Sequence, residues 1–175
     1  MADVRLRLFP YTMVKMQTAQ EKPVSLQVST EFIKEQRVVR MRPVVSVATY
    51  RARAVAGIEK LFSDLVSSGE NATGAPFCIL HDHFDWDHDI DLEICVPVRR
   101  WANLSERMQS RRVPATAVFS VDLAPHALYE LAQVKGALLA LERAVIEKSR
   151  IFAGDVREVY PWGKADRIKL QIPIV

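Results

Sequence analysis

Residues 90–98, Ile-Asp-Leu-Glu-Ile-Cys-Val-Pro-Val, constrain the chain most, because apolar side chains fall on every second position of the stretch. That period puts Ile90, Leu92, Ile94, Val96 and Val98 on one face of a β-strand, and Asp91, Glu93, Cys95 and Pro97 on the other. The apolar face requires a covering layer of helix. Glu93 is left on the opposite face beside Cys95, where it either meets water at a sheet edge or lines a concavity. Residues 168–174, Ile-Lys-Leu-Gln-Ile-Pro-Ile, repeat the pattern and end in the same way, with proline between branched aliphatics. The echo implies an internal duplication.

The rest of the chain fits two such units. Residues 43–50 form an aliphatic, β-branched run that predicts a strand starting after Pro43. From 54 to 68, Val55, Ile58, Leu61, Phe62, Leu65 and Val66 recur at helical spacing. A turn-rich stretch over 67–76 precedes strands at 77–81 and 90–98, which gives the order βαββ. The order returns as a strand at 113–121, a helix from Pro125 to about 150, and strands at 154–162 and 167–174. The fold class expected is α+β: duplicated βαββ units related by pseudo-twofold symmetry, an antiparallel sheet with helices on one face, and a central ligand cleft. The units cover about 44–98 and 111–175, within a domain of residues 44–175. Residues 1–43 are expected to be an N-terminal arm or an additional strand.

Charge and cysteine content narrow the function. The net charge of +3 comes from scattered pairs such as Arg99-Arg100 and Arg111-Arg112, with no dense basic run, so direct nucleic-acid binding is not expected. The first residues lack the apolar core of a signal peptide, and no apolar run reaches membrane-spanning length. A cytoplasmic protein without membrane contact is expected. In a hairpin turning near Trp86, Cys78 falls roughly opposite Cys95, although a reducing cytosol favours two buried thiols. His81, His83, His88 and the aspartates up to Asp89 form a local cluster. Acidic residues at a hairpin tip ordinarily solvate the turn, so neither a metal nor a cofactor is expected. Arg157 follows Asp155 and precedes Glu158, which predicts a structural ion pair rather than an anion site.

Several segments in order resemble the GyrI-like, or AraC-type effector-binding, domain of MerR-type multidrug regulators. They are Val44 to Tyr50 with the helix carrying Leu61-Phe62, Gly74-Ala-Pro-Phe77 leading into Leu80-His-Asp82, and Asp91 to Val98. Arg157-Glu-Val-Tyr160 and the closing Ile172-Pro-Ile174 complete the set. The resemblance implies a cleft at the pseudo-twofold axis that binds aromatic, often cationic compounds between a glutamate and aromatic walls. It assigns the glutamate to Glu93 and the late-strand aromatic to Tyr160. Trp162, on the same strand face as Glu158 and Tyr160, and Trp86, near the hairpin tip, are further wall candidates. Where the family often has glycine-proline-tyrosine entering its second helix, this chain has Ala124-Pro-His-Ala-Leu-Tyr129, which makes Tyr129 the corresponding candidate.

The regulators carry a helix-turn-helix domain ahead of this module, and the segment before Val44 is too short for one. A stand-alone binding protein is therefore expected, monomer or homodimer, with a small aromatic or cationic ligand as partner. A desolvated carboxylate attracts a cation, while aromatic faces add cation–π attraction. Two alternatives remain open. The resemblance also implies a hydrolase of strained cyclopropane-containing electrophiles, which would use Glu93 to place or deprotonate water. A protein-interaction module, for instance one that inhibits a topoisomerase, would use the surface instead.

Overall fold

The computed structural model describes residues 26–81, 89–99, 109–123, 131–160 and 168–175. Its strands are β1 (Ser29–Ile33), β2 (Gln36–Met41), β3 (Val44–Val45), β4 (Phe77–Leu80), β5 (Ile90–Pro97), β6 (Gln109–Val113), β7 (Thr116–Leu123), β8 (Val156–Val159) and β9 (Ile168–Ile174). The helices are α1 (Tyr50–Ser67) and α2 (Leu131–Glu147). All pairings are antiparallel, in the order β1-β7-β9-β8-β4-β5-β2-β6, with β3 on β5. Among the described residues no helix is long and apolar enough to cross a membrane.

The order is symmetric about the β8–β4 pair. β9 answers to β5, β7 to β2 and β1 to β6, so this is an α+β sheet of two βαββ units with a reciprocal exchange at its edges. β1 and β2 are joined by two residues but belong to opposite halves, as are β6 and β7. Three Cα steps span at most about 11 Å, so the sheet must curl to bring its two ends together. Pro114, which has no N–H for a ladder, stands at the β6–β7 break. The strand expected over 113–121 is β7 from Thr116 onward, while Val113 ends a separate strand, β6, on the other half.

The duplication extends to loop geometry. Gly74 lies 3.5 Å from Pro97, and Gly154 lies 3.6 Å from Pro173, measured from an ideal Cβ. Glu70 N donates to Leu65 O after α1, and Arg150 N donates to Val145 O after α2, both at 2.9 Å. The left-handed residue in each turn is Gly69 (φ 71°) in the first unit and Ser149 (φ 50°) in the second. A non-glycine residue there costs about 1–2 kcal/mol, partly offset by glycine's larger unfolded-state entropy. We expect Ser149→Gly to stabilise the protein by about 0.5–1 kcal/mol, read as a rise in melting temperature of roughly 1–4 °C. An unchanged or lower value would mean that Ser149 is not strained.

The first unit differs from its sequence expectation. Its first long strand is β2, whereas residues 43–50 supply only the two-residue β3. A turn in which Thr49 N donates to Ser46 O at 3.0 Å ends the extended run, and α1 starts at Tyr50. Tyr50, Ala54, Gly57, Ile58, Leu61 and Leu65 form the buried stripe of α1. An added Cβ at Gly57 would collide with Ile94 Cδ1, so glycine lets helix and sheet approach closely. α1 packs on β5 and β2, α2 on β7 and β9, and the central β4–β8 pair lies under the gap between their principal contacts.

Candidate functional site

Alternation along the strands sorts the polar residues onto two faces. On the face that carries neither α1 nor α2 Glu93 is 0% exposed. Arg111 reaches it from β6 with Nε donating to Oε1 at 2.6 Å and Nη2 to Oε2 at 2.9 Å. Arg40 Nη1 on β2 donates to Oε1 at 3.2 Å, and His81 Nε2 lies 2.7 Å from Oε2. His81 Nδ1 in turn lies 2.7 Å from Asp155 Oδ2. Burial alone would raise the Glu93 carboxyl; the His81 hydrogen bond with the charges of Arg111 and Arg40 outweighs it and holds the group below its ordinary value. Glu93 is an ionised carboxylate already matched by two arginines.

The helix side has a different carboxylate. Glu158 is 1% exposed on β8, directly opposite Cys78 on β4. Because the Gly74 and Gly154 turns correspond, Cys78 and Glu158 are also symmetry counterparts, and the pseudo-twofold axis passes through this pair. Tyr160 Oη donates to Glu158 Oε2 at 2.8 Å, while Arg51 Nη2 stands 3.5 Å from Oε1. Arg51 Nε donates to Tyr50 Oη at 2.6 Å, its guanidinium lies 5.2 Å from the Tyr50 ring centre, and its Nη1 is buried without a partner. Burial pushes the Glu158 carboxyl above its ordinary value, against the Arg51 charge and the phenols of Tyr160 and Tyr50. Burial and the adjacent Glu158 charge raise both tyrosines well above the ordinary phenol range.

The sequence reading joined Glu93 and Tyr160 in one cleft, and here the structure corrects it. Tyr160 packs in the α1 core with Tyr50 and Leu80, whereas Glu93 shares its face with Phe77, Ile79 and Cys95. The companion of Tyr160 is Glu158, already legible as its neighbour in the alternation; the missing signal was that Glu158 meets the pseudo-twofold axis. Trp162, Trp86 and Tyr129 lie outside the described residues, as does the part of the histidine cluster between His81 and Asp89. Among the described residues no group of three or more His, Cys, Asp or Glu could hold a metal ion.

Two smaller expectations change as well. Cys78 is opposite Ile94, and Cys95 is opposite Phe77, so a one-residue difference in register puts the thiols on opposite faces. Both are free and buried, with pKa values raised by burial. Arg157 has no ion pair among the described residues: Asp155 faces His81, and Glu158 points to the other side of the sheet.

No family model matches the sequence, and no curated protein matches it. Solved structures do. The C-terminal domain of EcmrR is 16% identical with a TM-score of 0.71, over 86% of this chain and 98% of that one. EcmrR in its cryo-EM complex with DNA is 17% identical with a TM-score of 0.70; the match covers 85% of this chain but spans only 57% of that one. SAV2435 bound to tetraphenylphosphonium is 11% identical with a TM-score of 0.57, over 85% and 94%. A hydrolase from Listeria innocua is 6% identical with a TM-score of 0.62, over 85% and 92%. With the mirrored strand order and a helix pair on one face, these likenesses show that the chain has the fold of the GyrI-like effector-binding domains.

Proposed function

We propose that the protein binds small aromatic cations on the helix side of its central strand pair, with Glu158 as counter-charge and Tyr160 and Tyr50 as aromatic walls. The observation that carries this reading is a carboxyl buried at the pseudo-twofold axis, its pKa raised, with Arg51 the one cation paired with it among the described residues, at 3.5 Å. Arg51 lies over the Tyr50 ring and beside Glu158, so it makes the two contacts that an aromatic cation would make. Binding exchanges that internal cation for an external one, and the Arg51 side chain, 22% exposed, has solvent into which to swing. SAV2435, which shares the fold, was solved with a lipophilic cation, and this supports the ligand class. Glu93 serves instead as a structural ion-pair centre. Trp162, Trp86 and Tyr129 remain proposed wall residues.

The test is a titration of intrinsic fluorescence with tetraphenylphosphonium and with a neutral aryl compound of similar shape, in wild type and Glu158→Gln. Loss of the charge should weaken the cation by 10- to 100-fold, about 1.4–2.8 kcal/mol, and the neutral compound by less than threefold. Equal losses, or no binding of the cation by wild type, would remove the electrostatic basis of the proposal. A carboxyl held towards its protonated form against a phenol also favours a second reading, general-acid hydrolysis. Mass analysis of each mixture separates it, since hydrolysis changes the compound with turnover and loses that turnover in Glu158→Gln.

A further inference from the structure

One rung of the sheet crosses the face that carries neither α1 nor α2. Ser29 is opposite Ser120, Ser120 opposite Gln171, Gln171 opposite Arg157, Arg157 opposite Ile79, and Ile79 opposite Glu93. Residues in register on neighbouring strands point the same way, so these six side chains share one face. Towards either end of the rung the charges are matched. Glu31 Oε1 accepts from Lys169 Nζ at 2.6 Å and Ser120 Oγ at 2.8 Å, and Glu93 is held by Arg111, Arg40 and His81.

The middle of the rung is not matched. Arg157 is 7% exposed and Gln171 4% exposed, yet neither side chain makes a hydrogen bond or ion pair among the described residues. Among the described residues the Arg157 guanidinium has a cation–π contact with the Phe77 ring, 5.9 Å away. Burial pulls the Arg157 pKa down and the like charge of Arg111 adds to that, outweighing the opposing influence of Cys95 and Glu93. A guanidinium this buried ordinarily has a counter-ion. Among the described residues the carboxylates on this part of the face are already engaged, Glu93 by Arg111 and Arg40 and Asp155 by His81. Among the described residues the unpartnered side-chain atoms fully sealed from water are Arg40 Nε and Arg51 Nη1, and none belongs to Arg157 or Gln171.

We propose that Arg157 and Gln171 form the head-group site for a small organic monocarboxylate, separate from the cation site on the helix side. The planar fork of a guanidinium accepts a carboxylate through two parallel hydrogen bonds, and the Gln171 amide supplies a third donor. One unmatched positive charge selects a monoanion over a dianion such as phosphate. Phe77, Ile79 and Val159 form the apolar surface beside it, which suits a short alkyl or aryl tail. Ser120 and Glu93 each stand two strand spacings from Arg157 along the rung, about 10 Å, with Gln171 and Ile79 between.

The experiment is a calorimetric titration with benzoate at ionic strength fixed by sodium chloride, with benzamide as the neutral counterpart. Wild type should bind benzoate saturably and benzamide at least tenfold more weakly. Arg157→Met should lose benzoate at least tenfold, and in benzoate-free buffer it should melt at or above wild type, because the unmatched charge is gone. If Arg157→Met does not fold, Gln171→Leu keeps the guanidinium and should weaken benzoate at least threefold. Glu158→Gln, on the other face, should bind benzoate as wild type does, so failure of the cation proposal leaves this one standing. No saturable benzoate binding by wild type, equal affinity for benzamide, or unchanged affinity in these two variants of the rung overturns it.

Discussion

Glu93→Gln should cost about 3 kcal/mol of folding stability, at the low end of the 3–5 kcal/mol seen when one partner of a buried ion pair is removed. The substitution keeps shape and volume but leaves Arg111 and Arg40 without their shared counter-charge. Their side chains are 33% and 22% exposed, so water relieves part of the loss and the low end applies. For a chain of this length the melting temperature should fall by roughly 6–12 °C. Arg111→Met added to Glu93→Gln should recover part of the loss, because one of the two stranded guanidiniums is then removed as well. The pH dependence has a definite sign. The folded Glu93 pKa lies below the ordinary value, so its contribution is present above the unfolded carboxyl value and disappears as pH falls through the folded one. Wild type should lose this stability on acidification, and Glu93→Gln should lack that limb. A cost under about 1 kcal/mol in urea unfolding would show that the arginines are adequately solvated alone.

Affinity for an aromatic cation should rise with pH through the raised Glu158 value and level off above it. Only the ionised carboxylate attracts the ligand, so each pH unit below that value should weaken binding up to tenfold, with a proton released on binding. The limb lies above the ordinary carboxylate range because burial disfavours the charged form. Arg51→Ala should move the limb to higher pH, since the Arg51 charge is what lowers the Glu158 value most. On the plateau the same variant should bind the cation about tenfold more tightly, because the competing internal cation is gone. Glu158→Gln should give a flat profile. A flat wild-type profile, or an Arg51→Ala plateau no tighter than wild type, would mean that ligand and Arg51 do not contend for one carboxylate.

What the sequence determined by itself was local and periodic. The alternation over residues 90–98 and 168–174 assigned faces correctly, with Leu92, Ile94 and Val96 packing under α1 and Leu170, Ile172 and Ile174 under α2. The helical stripe of Ile58, Leu61 and Leu65 lies in the same core. These patterns depend only on a residue's own backbone geometry, as does the duplication read from two proline-ended strands. What the tertiary structure decided was everything that crosses between strands. Glu93 has no arginine beside it in sequence, yet β2 and β6 bring Arg40 and Arg111 onto it from opposite sides of the chain order. The same long-range pairing put Glu158 on the pseudo-twofold axis and one residue of register between Cys78 and Cys95. Alternation tells which side of a strand a residue faces, but not which strand arrives next to it. A charge's partners depend on the second fact, and so only the assembled sheet distinguishes the carboxylate matched by two arginines, Glu93, from Glu158, which has Arg51 at 3.5 Å.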